Sequence, residues 1–245
     1  MIIGVLAILL VGSLAIYHYW PAEPKQKHHP IVTYSYRIVA LGDSLTQGVG
    51  DEKNHGYVGM TSAALQRQKS VKKVSVDDLG HLGDTSTDLL NVLKRPQARQ
   101  SVRQANTIFL TIGGNDLVRV LRNHFMDLST SDFAAQQKIF SAHLEQVFSE
   151  LRKLNPNAPI YYFGLYNPFE DYLGKANRDF VPILNRWNAN SKKITGQYKK
   201  IIFIPTADIF KGTGSTLLYE DHFHPNEKGY QKLSARLLTA INRHP

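Results

Sequence analysis

Short apolar runs alternate with longer segments of helical periodicity along most of this 245-residue chain. Most of the runs are continuous rather than alternating, which is typical of strands buried on both faces of a parallel sheet. The runs predict strands at 37–41, 74–76, 107–112, 160–165 and 201–204, and the segments between them predict helices at 57–69, 84–95, 132–154, 177–198 and 225–243. This alternation favours a three-layer α/β domain with a parallel sheet, and the chain has the length for one such domain.

The helix predicted at 132–154 has the clearest pattern. Its large apolar residues recur at spacings of three and four, which marks one buried stripe: Phe140, Leu144, Val147, Phe148 and Leu151. The sequence has no internal repeat, so it gives no indication of a second domain.

The N-terminal 20 residues predict a membrane segment. Residues 2–17 carry no charge, and Tyr17, Tyr19 and Trp20 form the kind of aromatic cluster found at membrane interfaces. We favour a retained anchor over a cleaved signal segment, because no convincing cleavage site follows. Residues 21–33, rich in proline and polar residues, predict a linker to a domain at 34–245.

This arrangement predicts a protein of the cell membrane whose single N-terminal anchor holds an extracytoplasmic catalytic domain, with secretion as the alternative. Two lysines after the apolar segment, Lys25 and Lys27, favour the opposite topology under the positive-inside rule. Two lysines weigh little against the rest of the pattern.

Composition limits the chemistry and the partners. The chain contains no cysteine, which excludes disulfides, thiolate metal sites and cysteine nucleophiles. Its net charge of +9 favours a negatively charged neighbour such as an anionic envelope polymer, although a merely basic surface is an equal alternative. No nucleic-acid motif accompanies the charge, so nucleic acid is not an expected partner.

Four short motifs follow predicted strands or precede the last helix: 42–46 (GDSLT), 80–86 (GHLGDTS), 113–116 (GGND) and 221–225 (DHFHP). The first three lie at the carboxyl ends of strands, where sites form in open parallel sheets. Their polar residues are therefore expected to lie close together.

Ser44, His224 and Asp221 are the types of residue that make an activated serine nucleophile. If Asp221 and His224 occupy one helical turn, their i, i+3 spacing brings carboxylate and imidazole together, and the imidazole can face Ser44. His222 is adjacent to Asp221, so a structural role is its default interpretation. Asp221, His222 and His224 could together bind zinc, but no further His or carboxylate lies close by in sequence to complete the site.

The two glycine-rich motifs could supply an oxyanion hole. Gly83 lets its backbone N–H approach a substrate and precedes Asp84, a predicted helix cap, whereas Gly80 is the competing donor. Asn115 follows a double glycine and is expected to project its amide into the crevice. A glycine needed only for a turn and an asparagine bonded to its own backbone are the alternatives.

In this order the four motifs resemble the SGNH hydrolases, also called the GDSL esterase/lipase family, over about residues 34–245, and they are nearest to the Gram-positive lipase/acylhydrolase branch. The resemblance implies a flavodoxin-like α/β/α sandwich with a five-stranded parallel sheet. It implies Ser44 as nucleophile, Asp221 and His224 as its partners, and an oxyanion hole of Ser44, Gly83 and Asn115. One departure from the family pattern is His222. The family often has another residue type between Asp and His, whereas here His222 is a second candidate for the base.

These features predict a serine esterase or lipase that cleaves small-molecule or lipid esters through an acyl-serine intermediate and needs no cofactor. Within the enzyme class, wall-polysaccharide O-acetyl esterase, thioesterase and lysophospholipase activities are alternatives. A non-catalytic, membrane-tethered binding module is the alternative from another class.

Overall fold

Five parallel strands form the centre of the computed structural model, which describes residues 33–123 and 130–244. The strands are β1 (Tyr34–Gly42), β2 (Val71–Gly80), β3 (Thr107–Thr111), β4 (Ile160–Phe163) and β5 (Ile201–Ile204). Their order is β2-β1-β3-β4-β5, and every neighbouring pair is parallel. This is the flavodoxin-like order, and it confirms the predicted fold.

Helices connect the strands and cover both faces of the sheet. In the described residues they are α1 (Ser44–Gln47), α2 (Gly56–Gln66), α3 (Ser86–Val92), α4 (Pro96–Gln104), α5 (Gly114–Asn123), α6 (Thr130–Leu154), α7 (Asn177–Thr195), α8 (Ala207–Phe210) and α9 (Glu227–Arg243). Two short 3₁₀ turns lie at Gly174–Ala176 and Gly214–Thr216.

Successive residues of β1 belong to different cores, which demonstrates the three layers. Val39 and Leu41 pack into the cluster that contains α3 to α7, and Ile38 and Ala40 pack into the cluster that contains α2, α8 and α9. Side chains alternate across a strand, so a strand that is apolar at every position must be covered on both faces. The predicted stripe of α6 is buried at all five positions.

The strand β2 extends beyond the predicted bounds of 74–76 at both ends, and it lies at the edge of the sheet. Most of its residues are exposed, and it carries Lys72, Lys73, Asp77 and Asp78. Charged residues on an edge strand discourage pairing with another chain. They also interrupt the apolar run on which the prediction depended.

The helix predictions need three corrections. The helices α4, α5 and α8 were not predicted, because they are short or carry few apolar residues in sequence. The predicted helix 84–95 is only α3, which ends before Pro96 begins α4. The last helix begins at Glu227 with Asn226 as its cap, whereas Pro225 forms an isolated bridge to Leu218 and is not the first helical residue.

The strand order reverses between β1 and β3, and such a reversal creates a crevice at the carboxyl ends of the strands. Ser44 follows β1 and Asn115 follows β3, so both lie at this crevice. None of the helices within 33–123 and 130–244 is long and apolar enough to cross a membrane. The predicted anchor and all of the predicted linker except residue 33 lie outside the described residues.

Candidate active site

Ser44 lies at the start of α1, and the local hydrogen bonds leave its hydroxyl group available. The cap of this helix is Asp43, whose carboxylate accepts the backbone N–H of Leu45 at 3.1 Å. The same carboxylate oxygen accepts the hydroxyl proton of Thr111 at 2.7 Å. Burial raises the pKa of Asp43, and the bonds from Thr111 and Leu45 oppose that rise. Asp43 is therefore the cap of α1, and Ser44 is its first residue.

Gly42 allows this tight connection between β1 and α1. Its φ is +140°, and a Cβ atom at this position would lie 2.0 Å from the carbonyl oxygen of Thr111. Only glycine fits both the conformation and the close approach of β3. The sharp turn places Ser44 at the carboxyl edge of the sheet.

Three predicted residues form a continuous hydrogen-bonded chain. His224 Nε2 lies 2.8 Å from Ser44 Oγ, and His224 Nδ1 lies 2.5 Å from Asp221 Oδ2. Ser44 is 2% exposed and His224 is 8% exposed. With Nδ1–H donated to Asp221, Nε2 has its lone pair directed at the serine hydroxyl, which is the arrangement that lets imidazole accept a serine proton.

The contact between Asp221 and His224 arises from a side-chain turn rather than from the expected helical turn. Asp221 Oδ1 accepts the backbone N–H groups of Phe223 at 2.9 Å and His224 at 3.0 Å. His222 has a φ of +56°, which is incompatible with a right-handed helix. An aspartate that bonds the backbone two residues further on is a common way to form such a turn.

Asp221 remains ionised because of these bonds. Burial raises the pKa of its carboxyl group, but the His224 ring and the backbone N–H groups of His224 and Phe223 outweigh that effect. The net result is a pKa below the ordinary value for aspartate. An ionised carboxylate is what holds an imidazole in one tautomer and stabilises its cation.

His222 is not part of the hydrogen-bonded series of Ser44, His224 and Asp221. It is exposed, and its ring lies 5.1 Å from that of Tyr172. Among the described residues, no three His, Cys, Asp or Glu side chains are grouped in a way that could hold a metal ion. The geometry therefore pairs Asp221 with His224 and not with His222.

Tyr166 supports the segment that carries His224, a role that the sequence did not reveal. Its hydroxyl donates to the carbonyl oxygen of Phe223 at 2.7 Å, and its ring stacks on Phe210 at 4.0 Å. Phe223 in turn meets the His224 ring edge-on at 5.0 Å. These contacts hold the segment that carries the imidazole.

The two candidate glycines differ in their surroundings. Gly83 is exposed and has a φ of +86°, and a Cβ added there would have no atom within 4 Å. Its N–H makes no hydrogen bond among the described residues. Gly80 ends β2, and a Cβ there would lie 2.5 Å from the backbone nitrogen of Gln47. Gly80 thus serves the packing of β2 against α1, and Gly83 is the open one.

Thr85, and not Asp84, caps α3. Its hydroxyl donates to Asp88 Oδ2 at 2.6 Å, and the same oxygen accepts the Thr85 N–H at 3.0 Å. Asp84 instead bonds the ring of His81 at 2.9 Å. The prediction of Asp84 as the cap was wrong by one residue, because Thr85 forms the capping box with Asp88 whereas the Asp84 carboxylate is paired with His81.

Asn115 lies in the first turn of α5 and reaches towards Gly83. Its side-chain nitrogen donates to the carbonyl oxygen of Asp84 at 2.9 Å. A primary amide has two N–H donors, so one remains for another acceptor. The bond to Asp84 orients this second donor and links the two glycine-rich motifs.

A buried polar network beside these motifs was not predicted. Asp116 accepts the Ser86 backbone N–H at 2.9 Å and the Ser86 hydroxyl at 2.6 Å. Since the hydroxyl proton goes to Asp116, the Ser86 oxygen at 3.0 Å from His143 Nδ1 accepts from that ring. Ser86 is fully buried, so this second Ser, His and Asp group is a brace between α3 and α5 rather than a nucleophile.

Two cavities meet at this centre. The first, here called the apolar cavity, is lined by Ser44 and Asn115 and by mainly apolar side chains, among them Leu117, Val118, Phe163, Phe169, Phe180 and Phe223. The second, here called the basic cavity, is lined by Gly83, Asn115, His224 and two arginines, Arg119 and Arg122. Asn115, Val118, Phe169 and Phe223 belong to both walls. The arginines follow Asn115 by four and seven residues, a helical spacing that the sequence could have revealed.

The profile of the GDSL-like Lipase/Acylhydrolase family matches residues 40–232 of this chain. The uncharacterized protein YpmR of Bacillus subtilis strain 168 is 36% identical over 225 residues, which are 91% of this chain and 88% of that protein. The spore germination lipase LipC of Bacillus licheniformis is 26% identical over 212 residues, which are 83% of this chain and 95% of LipC.

Solved structures share the fold. The lipase Lip_vut3 from a goat rumen metagenome has a TM-score of 0.72 at 24% identity, over 85% of this chain and 97% of that one. A variant of Axe2, an acetyl xylan esterase from Geobacillus stearothermophilus, has a TM-score of 0.63 at 19% identity, over 86% of this chain and 96% of that one. The match of the family profile over most of the described domain, together with the Bacillus relatives, shows that this chain belongs to the GDSL-like lipase/acylhydrolase family of SGNH hydrolases, in its Gram-positive branch.

Proposed function

We propose that the protein is a carboxylic ester hydrolase that works through an acyl-serine intermediate. The observation that carries this proposal is the unbroken chain from Ser44 Oγ through His224 to Asp221, with contacts of 2.8 and 2.5 Å. A serine hydroxyl is a weak nucleophile unless a positioned base takes its proton. Here the base is in hydrogen-bond contact and its orientation is fixed by a carboxylate.

In the first half-reaction, Ser44 Oγ attacks the acyl carbonyl carbon while His224 Nε2 takes the serine proton. The tetrahedral intermediate collapses when the bond to the alcohol oxygen breaks, and His224 returns the proton to that oxygen. In the second half-reaction, water repeats the attack with His224 as base and releases the acid. Asp221 stays ionised and stabilises the imidazolium, in keeping with its low pKa.

The oxyanion would be bound by the backbone N–H groups of Ser44 and Gly83 and by the side-chain amide of Asn115. Ser44 is the first residue of α1, where backbone N–H groups have no partner within the helix. Gly83 and Asn115 each have one donor without a partner among the described residues. Donors fixed before the reaction stabilise the charge that develops in the transition state.

The apolar cavity suits the acyl chain of the substrate, because Ser44 lies in its wall and aromatic and aliphatic side chains form most of the rest. The names of two similar proteins, a spore germination lipase and a lipase from a rumen metagenome, agree with a lipid or small-molecule ester. The mechanism requires no cofactor, because the nucleophile, base and oxyanion donors all come from the chain.

Labelling with a fluorophosphonate probe tests this function. We expect covalent capture of Ser44, located by mass spectrometry of the labelled peptide, together with hydrolysis of p-nitrophenyl esters. Ser44→Ala should abolish both, with a loss of about 10⁶ in kcat as for other serine hydrolases. Ser75→Ala is the matched control, because it removes an exposed serine of β2 that lies in neither cavity wall and should leave the label on Ser44.

A folded protein that neither reacts with the probe nor cleaves any ester would contradict the proposal and favour the binding module. Substantial turnover by the Ser44 variant would contradict the mechanism. We further propose that the N-terminal segment attaches the enzyme to the cell membrane with the domain outside, near anionic envelope polymers.

A further inference from the structure

The position of His224 indicates which cavity holds which part of the ester. His224 lines the basic cavity but not the apolar cavity, whereas Ser44 lines the apolar cavity and Asn115 lines both. In the proposed reaction, His224 must return a proton to the alcohol oxygen as it leaves. The alcohol part of the ester therefore lies in the basic cavity, and the acyl part extends into the apolar cavity.

The wall of the basic cavity is positively charged. Arg119 and Arg122 line it, and no Asp or Glu side chain does. Both arginines are exposed residues of α5, one turn apart on the face that carries Asn115. Within residues 33–123 and 130–244, neither guanidinium forms an ion pair with a carboxylate. Burial raises the pKa of nearby Asp116, and the charge of Arg119 is one of the smaller effects that oppose this rise.

We propose that Arg119 and Arg122 select esters whose alcohol part carries a negative charge, with phosphate as the preferred group. This inference rests on the proposed function and names the substrate class of the same site. A guanidinium presents parallel N–H donors that match the oxygens of phosphate, and two such groups one turn apart can hold one anion. The phosphate keeps its charge through the reaction. The bond between the acyl carbon and the alcohol oxygen breaks, His224 protonates that oxygen, and water then releases the acyl group from Ser44 as the carboxylic acid.

Exposure of the two side chains has a measurable consequence. Interactions between exposed charges weaken as salt is added, because the Debye length is about 8 Å at physiological ionic strength. We therefore expect kcat/KM for the anionic ester to fall with ionic strength, and kcat/KM for a neutral ester to change little.

Two esters with the same acyl chain and the same type of leaving oxygen test the proposal on the wild-type protein. Octanoyl glycerol and octanoyl glycerol phosphate, both used as monomers, differ in the charge of the alcohol. We expect the phosphate ester to have the higher kcat/KM by about tenfold, the scale of one charge-assisted hydrogen bond.

Variants then assign the preference to the arginines. In Arg119→Gln/Arg122→Gln, the ratio of kcat/KM for the two esters should fall to near one. The charge-keeping pair Arg119→Lys/Arg122→Lys should retain most of the preference. The matched control is Arg67→Gln/Arg103→Gln, which removes the same charge from two exposed residues that line neither the apolar nor the basic cavity and should keep the wild-type ratio.

Three results would overturn the inference: equal kcat/KM for both esters in the wild type, a preference that persists in the Arg119/Arg122 glutamine pair, or an equal loss in the control pair. The last would assign the effect to the overall charge of the protein. These results differ from failure of the proposed function, in which neither ester is cleaved and no probe reacts with Ser44.

Discussion

At the scale of single residues, the segment from Asp221 to His224 contains two histidines, and the turn around them decides which one can act. Asp221 bonds the backbone of residues 223 and 224, which directs the His224 ring at Ser44, and the positive φ of His222 directs that side chain towards Tyr172. The two histidines therefore differ in role although they differ by only two positions in sequence.

We predict that His224→Asn loses nearly all esterase activity and that His222→Asn keeps most of it, because only His224 contacts both Ser44 and Asp221. Steady-state kinetics on a p-nitrophenyl ester measures the difference, and circular dichroism verifies that both variants fold. An inactive His222 variant beside an active His224 variant would show that the wrong histidine has been assigned.

The pH dependence follows from Asp221. Its pKa lies below the ordinary value of about 3.9, so the carboxylate loses its charge only at lower pH. We therefore expect Asp221 to add no proton to the acidic limb of kcat/KM at pH values above about 4. A limb that shows protonation of Asp221 in that range would contradict this prediction.

Asn115 offers a test of the oxyanion hole. We predict that Asn115→Ala lowers kcat by an amount equivalent to roughly 2.7–4 kcal/mol with a smaller change in KM, because its free amide N–H would meet charge only in the transition state. Kinetics over a range of substrate concentrations separates the two constants. An effect on KM alone would make Asn115 a contact to the ground state.

At the scale of secondary-structure elements, the brace of Ser86, Asp116 and His143 joins the start of α3 to the start of α5. Gly83 lies three residues before Ser86, and Asn115 is adjacent to Asp116, so the brace fixes the distance between the two proposed oxyanion donors. Its buried carboxylate has a raised pKa, caused by burial and opposed by the bonds from Ser86.

We predict that Asp116→Asn costs about 1–3 kcal/mol of stability, because an amide has one oxygen for the two Ser86 donors and leaves a buried group unpaired. The raised pKa means that the folded state binds this proton more tightly than the unfolded state. The free energy of unfolding of the wild type should therefore rise relative to that of the variant as pH falls. This rise should occur between the pKa of Asp116 in the folded state and its lower pKa in the unfolded state. Urea unfolding of both proteins at several pH values measures this difference, and a difference independent of pH would contradict it.

At the scale of the whole molecule, all of the proposed catalytic residues lie in the described domain that begins with β1. We predict that a protein starting at Thr33 is soluble and retains full esterase activity, whereas the full-length chain sediments with membranes. Protease treatment of intact cells then tests the topology. Digestion of the domain from outside supports the extracytoplasmic proposal, and protection until lysis would favour the orientation suggested by Lys25 and Lys27.

The sequence by itself determined the fold class and indicated the residues of the candidate site. Continuous apolar runs such as 107–112, which alternate with helical segments, favour strands buried on both faces of a parallel sheet covered by helices. Glycine, serine and asparagine beside the ends of such runs carry chemical information, because parallel strands bring their carboxyl ends to one edge.

Only the tertiary structure decided how these residues meet. The contact of His224 with Ser44 spans 180 positions, and the turn that permits it comes from a side chain bonding the backbone rather than from helical periodicity. The brace between Ser86 and Asp116 likewise joins two helices that are separate in sequence. Periodicity reports which side of an element is buried, but polar contacts between elements depend on distances that only the packed sheet and helices fix.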